Sequence, residues 1–309
     1  MTLGPRALRW GTTAALVMSV LIVLGGAVVR VTGSGLGCPT WPTCDTTSIA
    51  PTPALGIHGV IEFTNRLFTW VLVAAVGWAI VAARLQKPRN RGLTRLAWSQ
   101  FWLVVANAVA GGVSVLAKLN PWVVALHFML AIALLTTTTL TWHRARQPVV
   151  PAPRLRRPAV ALSWVLVGCT LAIIVVGTLV TGTGPHSGDS AEVTRMDFVW
   201  ADVTIFHAVL GTITLIVAIV LLGVLWRDPN GRIARLRTAF FIIVVVLQGA
   251  IGTIQALNGL PEALVAIHLL GATLVWIGAL RVLLDTNPLL FRGREAVVAG
   301  EPVNRVTTG

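Results

Sequence analysis

Apolar residues run along this chain in long blocks instead of the alternating pattern of half-buried strands. Eight blocks of about 20 residues are legible, at 11–29, 59–83, 96–117 and 122–142, then at 159–180, 203–226, 239–257 and 263–283. Each is long enough to cross the hydrocarbon core as a helix, the form that satisfies every backbone polar group within its own segment. Runs this long exclude the short alternating strands of a membrane barrel. The first block exceeds the apolar core of a signal peptide, and no small-x-small cleavage motif precedes Arg30, so it reads as a span.

Composition agrees. Of 309 residues, 55% are hydrophobic and 11% charged, against roughly 25% charged in soluble domains, and the mean hydropathy is +0.82. A water-soluble enzyme, a disordered chain and a secreted disulfide scaffold are excluded. The net charge of +13 suits a nucleic-acid binder only until the basic residues are placed. Twenty of the 24 fall at the N-terminus, in the loops after the second, fourth and sixth blocks, and at the C-terminal end. Arg30, Lys118 and Arg195 lie on the other side, and Arg66 lies within a span. This bias puts both termini in the cytoplasm. Topology accounts for the charge, and no nucleic-acid partner is expected.

The Pro- and Arg-rich stretch 147–158 reads as a cytoplasmic linker between an N-terminal four-helix bundle, 1–146, and a C-terminal one, 159–285, followed by a cytoplasmic tail, 286–309. The halves share an echo at the exit of their first helix: Val31-Thr32-Gly33-Ser34-Gly35 and Val180-Thr181-Gly182-Thr183-Gly184. Both enter the membrane in the same sense, as in a parallel repeat. The expected fold is an all-α polytopic membrane protein, eight transmembrane helices as two pseudo-symmetric four-helix bundles. Bundle cores are where cofactors sit.

Polar residues inside the spans are costly and functional by default. His143 ends the fourth span beside Arg144 and reads as interfacial. His127, His207 and His268 each lie a turn or two inside the outer end of an even-numbered helix, roughly 10 Å below the surface. His207 and His268, on parallel helices of one bundle, are placed to ligate a heme from both faces. The N-terminal counterpart of His207 is ambiguous. The offset between the two echoes carries His58 onto it, whereas helix-to-helix spacing favours Asn65, and the spacing argument is the stronger because the offset must cross an extracellular loop whose length can drift. Asn is a poor iron ligand, so the N-terminal site is either five-coordinate through His127 or uses His58 from two turns nearer the surface. Glu62 and Arg66 form an i, i+4 pair within the span. That pair is either mutual neutralisation or an Arg66 for a heme propionate beside a Glu62 free to accept a proton. Cys169 reads as a small buried apolar residue. Cys38 and Cys44 flank Trp41 on the oxidising side, where a disulfide is expected as a structural staple that sets Trp41 over the bundle mouth.

With Gly25-Gly26 to Gly35, the Cys38–Cys44 loop and Ile61-Glu62-Phe63-Thr64-Asn65-Arg66 in view, the chain resembles the heme A synthase family over essentially its whole length. In that family the second helix usually reads Glu-x-x-His-Arg, and Asn65 stands at the histidine position. The family's second external loop often carries another cysteine pair. Here it reads Gly184-Pro185-His186-Ser187-Gly188-Asp189, so one disulfide is expected. The resemblance implies an oxidoreductase of the cell membrane that converts a methyl group of heme O to the formyl of heme A by successive hydroxylations. It implies a heme b cofactor on His207 and His268, and substrate in the N-terminal bundle near His127, Glu62, Asn65 and Arg66. It implies Glu62 as the group that accepts a proton or steadies positive charge, and Cys38 and Cys44 as a pair that shapes the entrance or relays electrons. Partners follow: heme O, the bilayer and, as candidates, a heme O synthase, oxidase assembly factors and a second copy of the chain. The rival readings are a diheme b-type cytochrome that leaves its heme unaltered and a cofactor-free transporter.

Overall fold

The structure is a computed structural model that describes residues 2–147, 155–186, 188, 189 and 193–288. Most of the expected linker and the tail beyond 288 lie outside the described residues. Eight helices follow one another: α1 (Pro5–Val31), α2 (Gly56–Arg84), α3 (Arg91–Leu116), α4 (Pro121–Arg144), α5 (Arg157–Thr183), α6 (Trp200–Trp226), α7 (Arg232–Leu257) and α8 (Glu262–Thr286). Every one is long and apolar enough to span a membrane. Among the described residues there is no strand, only an isolated bridge between Ser34 and Asp189.

Several helices begin before the apolar blocks do: α1 six residues earlier, α3 five and α7 seven. Their first turns carry Arg6 and Arg9, Arg91 and Arg95, and Arg232, Arg235 and Arg237. Such side chains lay their stems along apolar surface and lift the charge into water, so the helix continues where apolarity stops. Proline opens α1, α4 and α5, where its missing N–H would have had no helical partner. Asn90 and Asn120 cap α3 and α4 by accepting from the backbone N–H of Leu93 and Trp122.

Consecutive helices pair as α1–α2, α3–α4, α5–α6 and α7–α8, and each half closes into a ring through α1–α4 and α5–α8. The halves meet along α1 and α4 against α5 and α8. That seam holds Val23, Ile132, Leu135, Ile174, Trp276 and Leu280, with a hydrogen bond from Trp276 Nε1 to Thr136 Oγ1 at 2.9 Å. Each bundle packs its own core at the end away from the Cys38–Cys44 loop, around Leu72, Val76 and Ala79 in one half and Leu221, Leu225 and Phe241 in the other. The buried residues of α6 all fall between Thr214 and Leu225, and those of α7 between Ala234 and Val245. The outer turns of these helices contribute nothing to that core.

The repeat is real but not where the echo puts it. Both α3–α4 and α7–α8 turn through two successive left-handed residues, Lys118 and Leu119 (φ 52° and 56°) and Gly259 and Leu260 (φ 73° and 60°), 141 positions apart. The glycine-rich echo is out of step in structure. Gly33 has left α1 with φ 64°, whereas Gly182 is still helical, its flat face taken up by Met196.

Candidate functional site

Each helix hairpin places a glycine of its first helix against a polar side chain of its second. A Cβ on Gly111 would lie 3.2 Å from Cε1 of His127, one on Gly177 3.2 Å from Cε1 of His207, and one on Gly252 3.3 Å from Cε1 of His268. In the remaining hairpin, a Cβ on Gly25 would run into Oδ1 of Asn65. The structure therefore seats Asn65 where the other hairpins seat histidine. His127, His207 and His268 lie six, seven and six residues inside their helices and Asn65 nine, but His58 only two. At ~1.5 Å per residue, His58 sits about 10 Å nearer the outer surface than Asn65. Its Nδ1 pairs with Ser34 Oγ at 2.9 Å, and Ser34 with Thr32 Oγ1 at 2.8 Å.

His207 and His268 face one another across the C-terminal bundle, ring centres 6.3 Å apart and planes crossing at 67°. The backbone of Asn107 approaches His127 and that of Ile173 approaches His207, short of a well-aligned bond. Nδ1 of His127, His207 and His268 and Oδ1 of Asn65 are all sealed from solvent without a hydrogen-bond partner. The four quasi-equivalent positions thus share two features: the side chain packs on a glycine of the preceding helix, and one of its polar atoms is sealed without a partner.

Above the N-terminal bundle, Cys38 and Cys44 are joined. Glu62, 5% exposed, accepts from the Cys38 backbone N–H at 2.6 Å. It also pairs with Arg66, whose Nη2 lies 2.5 Å and Nε 3.2 Å from Oε1. Arg66 donates in addition to the carbonyls of Cys38, Thr40 and Thr43 at 3.0–3.1 Å. The guanidinium is engaged by the disulfide loop as well as by Glu62. The loop lays the indole of Trp41 against Gly112 of α3, so closely that any Cβ there would collide with it. The adjacent Gly111 faces His127. The second external loop locks onto the first, Gly35 N–H donating to the Gly188 carbonyl at 2.7 Å and Leu36 N–H to Asp189 Oδ2 at 3.0 Å, and beside them Arg30 Nη2 at the end of α1 donates to the Thr181 carbonyl of α5 at 2.6 Å. Of the remaining polar residues, His186 pairs with the Leu260 carbonyl, and Cys169 is a free, half-buried thiol.

The sequence profile described as cytochrome oxidase assembly protein, COX15-CtaA, matches residues 9–280, spanning both bundles. The chain belongs to the heme A synthase family. It is 25% identical over 280 residues to the heme A synthase of Staphylococcus epidermidis strain RP62A, covering 81% of this chain and 87% of that one. It is 24% identical over 298 residues to the heme A synthase of Staphylococcus aureus strain JH9, covering 89% and 95%. Within this heme A synthase family member, the facing glycines and the Trp41–Gly112 contact are the features that composition and motif spacing left unseen. Their one linear signal is a glycine recurring in the outer third of every odd-numbered helix.

Proposed function

We propose that this protein oxidises the methyl group of heme O to the formyl group of heme A by successive hydroxylations, with heme b held by His207 and His268 in the C-terminal bundle. The observation that carries the reading is the 6.3 Å between the two imidazole centres. Metal–imidazole bonds of about 2.0 Å, with nitrogen about 1.1 Å from the ring centre, put two axial imidazoles roughly 6 Å apart. Two further observations support the fit: Nδ1 is the sealed nitrogen of each ring, leaving Nε2 as the one on offer, and the outer turns of α6 and α7 hold no packed core. A heme b bound there supplies one-electron chemistry.

In the N-terminal bundle the chain's own residues orient the substrate and handle its protons. His127 holds the substrate from α4. Glu62, paired with Arg66 and one turn outward from Asn65 on α2, is the group that accepts a proton or steadies positive charge as the methyl group is oxidised. The disulfide loop with Trp41 closes the outer face and excludes water. The basic cytoplasmic loops support a plasma-membrane orientation with both termini inside, which puts this site in the outer leaflet.

The test is heme extraction from membranes of a host that makes heme O but lacks its own heme A synthase. Heme A is expected with the native chain, and its yield falls on the order of 10²-fold in Glu62→Ala. Undiminished conversion by Glu62→Ala overturns the role of Glu62. Unmodified heme returned by the native chain points to a diheme cytochrome, and a purified protein without a Soret band to a transporter.

A further inference from the structure

We infer that the N-terminal bundle, read as the substrate heme site above, binds iron through His127 alone and keeps the opposite axial face, under Asn65, open to small ligands. Three positions of the four-hairpin repeat present an imidazole and the fourth presents a carboxamide, seated against its glycine as the others are. Iron in hemes is held by imidazole, thiolate, thioether or phenolate, and a neutral amide supplies none of these. Asn65 is also the shorter side chain, and reaches less far into the bundle than an imidazole at the same position would.

His58 does not substitute. It lies in the first turn of α2, tied through Ser34 to Thr32. Its own backbone is packed against Gly37, where any Cβ would run into the His58 carbonyl. Lowering it by two turns requires unwinding the start of α2 and lifting the disulfide loop, which Glu62 and Arg66 hold down through Cys38, Thr40 and Thr43.

Asn65 also has a direction. Its Oδ1 is sealed without a partner on the Gly25 side, which leaves Nδ2 as the amide atom available to a ligand. An N–H donor there is suited to hydrogen-bond a small molecule on the open face. The two bundles then divide the work by one substitution: saturated coordination between His207 and His268, and an exchangeable position on the α2 side of His127, the helix that also carries Glu62.

The test is carbon monoxide binding and ferric spin state in the purified, heme-loaded protein, recorded beside a chemical assay of its extracted hemes. The native chain is expected to show a low-spin, carbon-monoxide-inert heme and a high-spin, carbon-monoxide-binding one in comparable amounts. Asn65→His removes the carbon-monoxide-binding fraction and converts its signal to low spin. Asn65→Ala retains binding but releases carbon monoxide several-fold faster, the donor having gone. The low-spin signal of the His207–His268 site serves in each variant as the check on folding. If the native protein holds two hemes that are both low-spin and inert, and His58→Ala opens one of them, the inference is overturned and His58 is the ligand. Two inert hemes that His58→Ala leaves unchanged overturn it equally. The failure of the functional reading looks different: heme O comes back unmodified, whatever the spin states.

Discussion

A single methyl group decides whether an imidazole fits at this site. A Cβ on Gly252 would approach Cε1 of His268 to 3.3 Å, tighter than ordinary van der Waals contact, so Gly252→Ala pushes the ring off its axis. Gly249, one turn earlier on α7, has nothing within 4 Å of such a Cβ. Both substitutions gain about 1 kcal/mol of helix propensity, so they separate packing from helix stability. Gly252→Ala is expected to lower the heme-to-protein ratio after purification several-fold, while Gly249→Ala leaves it unchanged. Equal heme retention in the two contradicts the packing argument. The histidines were legible in the sequence because a titratable group in lipid demands a reason. Their glycine partners were not, since glycine is common in spans and only a neighbouring side chain reveals which glycine matters. Glu62 and Arg66 illustrate the same limit. Their i, i+4 spacing is visible, but the loop carbonyls that Arg66 gathers lie 23 to 28 residues away.

Elements were legible to the extent that hydropathy marks them. Hydropathy marks all eight helices, and their ends depart from the apolar blocks mainly where arginine continues a helix beyond its apolar core. Register between the halves was beyond reach of the Thr-Gly motifs, because α1 and α5 end differently around them: one in a left-handed glycine, the other in a helical glycine under Met196. The better landmark is the pair of left-handed turns. An L-residue in that conformation costs roughly 1–2 kcal/mol, and α7–α8 relieves one of its two with Gly259 where α3–α4 uses Lys118. Lys118→Gly is therefore expected to stabilise the protein by about 1 kcal/mol, raising the midpoint of thermal unfolding by roughly 2 °C. Gly259→Ala, with open space around its Cβ, lowers it by a similar amount through backbone strain alone. No shift in either variant removes the turn as a shared structural landmark.

At the scale of the whole molecule, charge and chemistry are segregated. No Asp or Glu occurs from residue 63 through 188, a stretch that carries twelve Lys and Arg, so its basic loops have no internal counter-charge. The seam between the bundles was invisible in the sequence because residues such as Val23, Ile174 and Leu280 are as apolar as those that face lipid. Orientation, by contrast, rests on charge alone, and the chain contains its own probe of it. It has two lysines, Lys87 in the α2–α3 loop and Lys118 in the α3–α4 turn, both exposed and at opposite ends of α3. With both termini inside, a membrane-impermeant amine reagent added to intact cells modifies Lys118 and spares Lys87, and permeabilisation exposes Lys87 as well. The α-amino group then behaves like Lys87. Labelling of Lys87 from outside reverses the orientation, and with it the placing of His127, His207, His268 and the Cys38–Cys44 loop on the oxidising side of the membrane.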